Sequence, residues 1–457
     1  MRHAARLAML VAGSAGLLVS AGAGGAARGA EGPAAAGNWS AYLNGPAHSS
    51  YSKSQTAIRQ GNVGRLAITW RFRGDRPVKS GQPGTGFLAS PIVVRGVVYI
   101  GADTGWFYKL NATTGQVLAK RFIGFQRATT CPPSRGFVDT ATVAVDRSGQ
   151  RVVYVGGADG YLYALRASNL SVLWRSVIAL PSKKINNYFQ WSSPTVSGGR
   201  IYIGVASNCD KPLVRAGLIS YSQATGKRLA MFRSLPGPMI GASIWSSAAV
   251  DSEHFVYVTT GNAVKPHREP GYSDSIVKLS RSTLRPAASF KVPASEVVGD
   301  GDFGASPVIF GPFVGACNKN GIFYALRRSD MTVAWQRRVG APQPHHGISN
   351  CSAAVVYDGH VLYVATPRHV ISGRAYPGSV QALNPRTGAL IWQTGLPHGV
   401  IGTPTMDAGG VLAVGTYDFS ATNAVFLLRA SDGKVLRRLN RGSADFAQSV
   451  FAWALRG

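Results

Sequence analysis

One motif recurs along this chain and limits what it can fold into. Val98-Tyr99-Ile100-Gly101-Ala102-Asp103-Thr104-Gly105-Trp106-Phe107-Tyr108-Lys109-Leu110 is echoed by Val153-Tyr154-Val155-Gly156-Gly157-Ala158-Asp159-Gly160-Tyr161-Leu162-Tyr163-Ala164-Leu165. Each copy is a short β-branched and aromatic run, a Gly/Asp turn and a second run ending in Leu. Weaker copies continue to the C-terminus at a period of about 50 residues, the signature of propeller blades or of a solenoid. They open near Ser90-Pro91, Thr140-Ala141, Ser193-Pro194, Ser247-Ala248, Ser306-Pro307, Ser352-Ala353 and Thr403-Pro404, each with a small hydroxyl residue before an apolar strand. Segments such as Val172-Leu173-Trp174, Val333-Ala334-Trp335 and Leu390-Ile391-Trp392 close the repeats.

The expected fold is therefore all-β, a β-propeller of four-stranded antiparallel blades. A ring must not leave an open sheet edge, so one blade should draw strands from both chain ends. Leu66-Ala67-Ile68-Thr69-Trp70-Arg71-Phe72 reads as a last strand that pairs with C-terminal residues around Ser449-Val450-Phe451-Ala452-Trp453. That gives eight blades, with seven as the alternative. The 457 residues form one repetitive domain, 38–457, because propellers outgrow the usual domain length without splitting.

Residues 1–26 read as a signal peptide. Arg2 and Arg6 give a basic start, Leu7 to Val19 is apolar, and Ala21-Gly22-Ala23 or Gly25-Ala26-Ala27 offers small residues for cleavage. The rival reading, an uncleaved anchor, suits this short, Gly-rich stretch poorly. Residues 27–37 read as a flexible leader, and no later segment has transmembrane character. The expected location is secreted or periplasmic. Export makes Cys131, Cys209, Cys317 and Cys351 candidates for disulfides in any of three pairings, and the absence of CxxC disfavours a thioredoxin-type site or a c-type haem. The net charge of +28 is spread along the chain, so no nucleic-acid partner is expected. Anionic envelope polymers are the functional alternative to a merely solvated surface.

In a four-stranded blade, the loop between blades and the loop between the second and third strands share one face. Arg135, Asp210, Asn262, Asp302, Lys319, the pair His345-His346 and all four cysteines fall in or beside those loops. One functional mouth is expected there. Pairing Cys131 with Cys209 and Cys317 with Cys351 would staple neighbouring blades at that face.

The repeats resemble the quinoprotein-dehydrogenase-like propellers, which include pyrroloquinoline quinone (PQQ) alcohol dehydrogenases, polyvinyl-alcohol dehydrogenase-like proteins and a non-catalytic outer-membrane assembly factor. Ala382-Leu383-Asn384-Pro385-Arg386-Thr387-Gly388-Ala389-Leu390-Ile391-Trp392 carries the general blade pattern. Three stretches are similar to the enzymes in particular. Ile244-Trp245-Ser246-Ser247, followed by Val258-Thr259-Thr260-Gly261-Asn262, implies Trp245 stacked on the quinone and Asn262 as a Ca²⁺ ligand. Gly299-Asp300-Gly301-Asp302-Phe303-Gly304 implies Asp302, and secondly Asp300, as catalytic base, with Asp302 also near the metal. Asn318-Lys319-Asn320-Gly321 implies Lys319 on the quinone carbonyls, and Arg135 is placed to meet a cofactor carboxylate.

These residue types suit the chemistry. A carboxylate takes the alcohol proton, Ca²⁺ wants hard oxygen ligands, and a cation stabilises negative charge on quinone oxygens. The implied substrate is a small or polymeric alcohol. Two departures count against turnover. The enzymes' vicinal Cys pair is reduced to Cys131, and Lys211 stands where they have a Glu ligand, with only Asp210 nearby. The alternative is a non-enzymatic propeller that binds a protein or an anionic polymer.

Overall fold

The computed structural model describes residues 38–440 except 55–56, 78–82, 84–85, 128–134, 183–186, 265–268, 343–350 and 418–423. The expected signal peptide and leader, His345-His346, Cys131 and the C-terminal strand at 449–453 lie outside the described residues. No helix among those described is long and apolar enough to cross a membrane.

The described residues form one compact unit. It is built as a propeller of seven antiparallel sheets, not eight. Blade 1 is typical: Ile92–Val94, Val97–Gly101, Trp106–Asn111 and Val117–Phe122, hydrogen-bonded in that order. Blades 2 to 7 span 142–177, 195–233, 249–291, 308–338, 356–396 and 405–440. The innermost strands are buried; the outermost alternate and present Lys120, Arg121, Arg175 and Arg228 outward. Basic side chains on an outer strand blunt the free edge that each blade leaves.

The expected eighth blade fails on Leu66–Phe72. This stretch has no ladder partner among the described residues, and Ile68 is half exposed. It docks instead through side chains. The Trp70 indole N–H donates to Ala112 O at 3.0 Å, and the ring lies over Gly115, where an added Cβ would come within 2.7 Å of it. Trp174 lies over Gly226, Trp335 over Gly388 and Trp392 over Gly433 in the same way, so an outer-strand Trp holds the next blade's turn. Trp70 performs that service for blade 1 without belonging to a sheet.

The small hydroxyl residue that opens each repeat stitches the ring. Ser90 N–H donates to Thr140 Oγ1 at 3.0 Å, Thr140 to Ser193 Oγ, Ser193 to Ser247 Oγ and Ser247 to Ser306 Oγ at 2.9 Å. The series resumes with Ala354 N–H on Thr403 Oγ1. The sixth opener is thus Ala354, just past the expected Ser352-Ala353, and it has no hydroxyl to offer Ser306.

The N-terminal stretch 39–52 runs inside the ring. Trp39 exchanges both backbone hydrogen bonds with Val93 of blade 1. The carbonyls of Ser40, Pro46, Ala47, Ser49 and Ser50 accept from Val143, Val250, Ile309, Tyr357 and Met406, on the inner strands of blades 2, 4, 5, 6 and 7. Tyr51–Ser52 then adds a parallel strand to blade 7. Leu43 is fully buried, and the buried His48 donates from Nδ1 to Pro307 O at 2.9 Å.

Candidate functional site

The loop 299–304 between blades 4 and 5 is clamped from two sides. Phe303 N–H donates to Thr260 O at 3.3 Å, Lys319 N–H to Asp302 O at 3.0 Å, and the Asn318 amide to Gly301 O at 2.5 Å. Asn318-Lys319-Asn320-Gly321 is a turn held by its own asparagines. Asn318 Oδ1 accepts from Asn320 N–H and Asn320 Oδ1 from Ile322 N–H, both at 2.9 Å, while Gly321 takes the positive φ of 83° that the turn requires. Cys317, next to this turn, is bonded to Cys351 as expected. Cys209 is also disulfide-bonded; its expected partner, Cys131, is not among the described residues.

This frame aims Lys319 at the two aspartates. Its Nζ lies 2.9 Å from Asp300 Oδ1 and 3.1 Å from Asp302 Oδ2, and 5.3 Å from the centre of the Trp245 ring. Trp245 is half-buried and rests on Gly304, where a Cβ would come within 2.6 Å of its ring. Gly261, before Asn262, lies against Asp302, 3.6 Å from Cγ to an added Cβ. Trp245, Asp300, Asp302 and Lys319 therefore form one cluster, with the Asn262 backbone beside it.

Asp302 and Lys319 are buried, so their charges depend on each other. Burial pushes the Asp302 carboxyl up, Lys319 pulls it down, and Asp300 and Asp210 push it up again, to about 6. For Lys319, burial lowers the pKa, but Asp302 and Asp300 outweigh it and hold the ammonium charged. Burial, then the neighbouring Asp302, raises Asp274 to about 7. Asp210 is raised by burial and feels both Lys319 and Asp300. Asp302, Asp300 and Asp210 thus share the field of one buried ammonium, while Asp274 is coupled to Asp302 and is drawn down by Lys291.

Asp274 and the reach of Asp210 were not foreseen. Nothing in Tyr272-Ser273-Asp274-Ser275 marks Asp274 except its place in a loop of the right face. Asp210 takes a positive φ of 58° before a cis Lys211–Pro212 bond and accepts from Ser207 Oγ, while Lys211 is exposed. Asp210 is thus the residue of this pair that feels Lys319 and Asp300, whereas Lys211 is exposed.

Arg135 sits apart from this cluster. Its guanidinium lies 5.6 Å from the Trp191 ring centre. Burial lowers its pKa and Asp103 raises it; Asp103 in turn is pushed up to about 6 by burial against the pull of Arg135. No contact joins Arg135 to Lys319 or Asp302 among the described residues, although Arg135 feels Tyr417 of blade 7. It lies in the loop between blades 1 and 2, which belongs to the same face.

The residues fit a hard cation and a planar quinone in a specific sense. Asn262 Oδ1 and Asp302 Oδ1 are buried acceptors with no hydrogen-bond partner in the structure. Two such oxygens are costly to leave unsatisfied, and they are the donor type Ca²⁺ prefers. Asn262, Asp302 and Asp210 would hold the ion, and Trp245 and Lys319 would hold the quinone. No ready-made set of three His, Cys, Asp or Glu ligands occurs among the described residues, so the pocket is not a closed protein cage.

Comparison with known proteins agrees with this geometry. Residues 39–330 match the sequence model of the family described as glucose/ethanol/alcohol dehydrogenase, beta-propeller domain, and 377–449 match that of the outer membrane protein assembly factor BamB. Lupanine 17-hydroxylase [cytochrome c] of a Pseudomonas species is 28% identical over 203 residues, 44% of this chain and 27% of that one. Quinohemoprotein alcohol dehydrogenase ADH IIB of Pseudomonas putida is 26% identical over 284 residues, 55% of this chain and 38% of that one. The matches thus span well under half the length of these relatives. Among solved structures, quinohemoprotein alcohol dehydrogenase of Comamonas testosteroni superposes with a TM-score of 0.70 at 18% identity, covering 90% of this chain and 74% of that one. A europium-containing methanol dehydrogenase gives 0.67 at 16%, covering 90% and 86%. At such identities the structural likeness shows the fold alone. The family match, which spans well over half of the chain and includes the Trp245, Asp302 and Lys319 cluster, makes this protein a member of the PQQ-type glucose/ethanol/alcohol dehydrogenase β-propeller family.

Proposed function

We propose that this chain is an exported quinoprotein that oxidises an alcohol, small or polymeric, at the mouth formed by the loops of blades 3 to 5. One observation carries the reading: a buried lysine bridges two aspartates beside an indole face, with two buried oxygens left for a ligand. PQQ, when bound, supplies the hydride acceptor, with Ca²⁺ as its Lewis acid. Asp302 accepts the hydroxyl proton; a carboxyl raised to about 6 is ionised at neutral pH yet more basic than a solvated one. Lys319 fixes the orientation of that carboxylate and presents positive charge where quinone oxygens gain negative charge. Trp245 offers the flat face that orients a planar ring. Buried surroundings keep water from competing for these groups.

The test is a titration of purified protein with PQQ, with and without Ca²⁺, followed by dye reduction with primary, secondary and polymeric alcohols. Saturable, Ca²⁺-dependent binding and turnover are expected; no saturable binding would end the reading. A second reading, a binding propeller without turnover, draws support from the match of 377–449 to the assembly factor's family and from the single cysteine at 131. Quinone binding without reduction of dye by any alcohol would favour it.

A further inference from the structure

Blades 1, 2 and 5 carry a tyrosine at the third position of their third strand: Tyr108, Tyr163 and Tyr324. In each the hydroxyl donates to a carboxylate, Asp75 Oδ2 and Asp159 Oδ2 at 2.6 Å and Glu296 Oε2 at 2.5 Å. The bond is the same and its setting is not. Asp159 lies in a turn of blade 2 itself, and Asp75 comes from the stretch before blade 1 and is also paired with Lys120. Glu296 stands at the head of the loop that leaves blade 4 and carries Asp300 and Asp302.

Tyr324 therefore joins the two halves of the Lys319 cluster. Its hydroxyl also accepts from Asn320 Nδ2 at 2.7 Å, one residue past Lys319, and the same amide donates to Glu296 O at 3.0 Å. Its ring packs edge-on against Phe303, the residue after Asp302, with centres 6.0 Å apart. Gln336 Nε2, on the outermost strand of blade 5, donates to the other Glu296 oxygen at 3.0 Å. Tyr324, Asn320 and Phe303 are buried. Burial, and then the bond to Glu296, raise the Tyr324 pKa, so the hydroxyl stays a donor. A buried polar network whose members are satisfied is rigid. Lys319 needs such a frame, because its ammonium ends a flexible four-carbon stem. Its distances of 2.9 Å to Asp300 and 3.1 Å to Asp302 hold only while the turn and the loop keep their spacing.

We propose that Tyr324 and Glu296 are positioning residues: their hydrogen bond, shared with Asn320, ties the loop of Asp300 and Asp302 to the turn of Lys319 and so fixes the lysine against both aspartates beside Trp245. Neither touches the reacting atoms. Their value to catalysis rests on the reading of that cluster as a quinone site, but the tie itself is measurable without quinone. Tyr108 and Tyr163 bond to carboxylates outside the cluster, so they serve the scaffold alone.

The first arm of the test uses quinone-free protein labelled with ¹⁵N-lysine. The ammonium signal of Lys319 is assigned by its loss in Lys319→Met, and hydrogen exchange is followed in peptides covering 318–322. Tyr324→Phe should shift or broaden that signal and speed exchange there by about tenfold, the effect of one buried hydrogen bond. Tyr163→Phe deletes the same hydroxyl from the same repeat position. It should lower the melting temperature comparably and leave both readouts unchanged. Glu296→Gln, which still offers an oxygen to Tyr324, should keep the signal, and Glu296→Ala should lose it. In the second arm, Tyr324→Phe should weaken PQQ binding by about tenfold and Tyr163→Phe by less than about twofold. An unmoved Lys319 signal in Tyr324→Phe, or equal changes in the Tyr324 and Tyr163 variants, would overturn the proposal. So would equal quinone affinities in those two variants. If the wild-type protein binds no quinone, the reading of the cluster falls, while the ammonium signal still decides the tie.

Discussion

The N-terminal stretch inside the ring and the cluster at the mouth are both buried, polar and assembled from several blades, yet they are finished to different degrees. The stretch 39–52 places its carbonyls on inner strands of six blades, and its buried His48 and Ser50 side chains bond to Pro307 O and Pro404 O. At the mouth, Asn262 Oδ1 and Asp302 Oδ1 have no partner, and three carboxylates, Asp210, Asp300 and Asp302, share Lys319. The first region is satisfied by the protein itself except at the Trp39 indole N–H, as buried polar groups in a structural core mostly are. The second leaves two buried oxygens for the ligand proposed above. The difference separates scaffold from site without any appeal to relatives.

Substitutions should therefore divide into those that cost activity and those that cost folding. The largest effect is expected from Asp302→Asn, which keeps the shape but removes the base: alcohol turnover should fall by about 10²- to 10⁴-fold while quinone affinity changes little. Retained turnover would remove Asp302 from the mechanism. At the other region, Leu43→Ala should destabilise by about 2–5 kcal/mol, since this side chain is fully enclosed, with unchanged turnover per folded molecule. A melting-temperature series alongside initial rates separates the two outcomes, and a loss of turnover in folded Leu43→Ala would break the comparison.

His48 extends the contrast to pH. Burial lowers its pKa to about 4, against its acceptor Pro307 O, which favours the charged form. The unfolded chain takes up the proton below about 6.5 and the folded chain does not, so stability should fall as pH drops from 6.5 towards 4, by on the order of 3 kcal/mol in total. In His48→Gln that slope should flatten; an unchanged slope in denaturant titrations across this window would exclude His48 as its source.

Gly304→Ala should cost about 1–3 kcal/mol, because the new Cβ overlaps the Trp245 ring and Ser352 Oγ. It should weaken quinone binding more than stability, as read by quenching of tryptophan fluorescence on titration. The smallest effect belongs to Asp300→Asn. Asp300 raises Asp302, so its removal should lower the Asp302 pKa from about 6, whereas Lys319→Met should raise it. Carboxyl ¹³C shifts in metal-free protein would give the sign, and the reverse order would show that Lys319 does not govern this carboxylate.

Much of this was legible in the chain. Alternating apolar runs with Gly/Asp turns specify hairpins locally, so the blades around Val98 and Val153 form where the repeats place them. Trp245, Asp302 and Lys319 were legible through the resemblance of their stretches to the quinoprotein dehydrogenases, and the breaks in the repeat independently put Asp302 and Lys319 on one face. The number of blades was not. Leu66–Phe72 has the composition of a strand, but a strand exists only where a ladder partner is supplied, and Trp70 can dock by its ring alone. The reach of Asp210 was hidden for a related reason: spacing gives the position of a residue along a loop, while the folded loop decides that Asp210 feels Lys319 and Lys211 is exposed.

The sequence by itself thus determined the blade, the face that carries the loops and the residue types gathered there, because hairpins and turns depend on neighbours within one repeat. Only the tertiary structure decided that the ring has seven blades, that 39–52 fills its inside, that Asp210 feels Lys319 and Asp274 feels Asp302, and that Arg135 stands over Trp191. Those facts rest on contacts such as Ser50 with Pro404, 354 residues apart. Such contacts exist only after the ring has closed, and no local pattern encodes them.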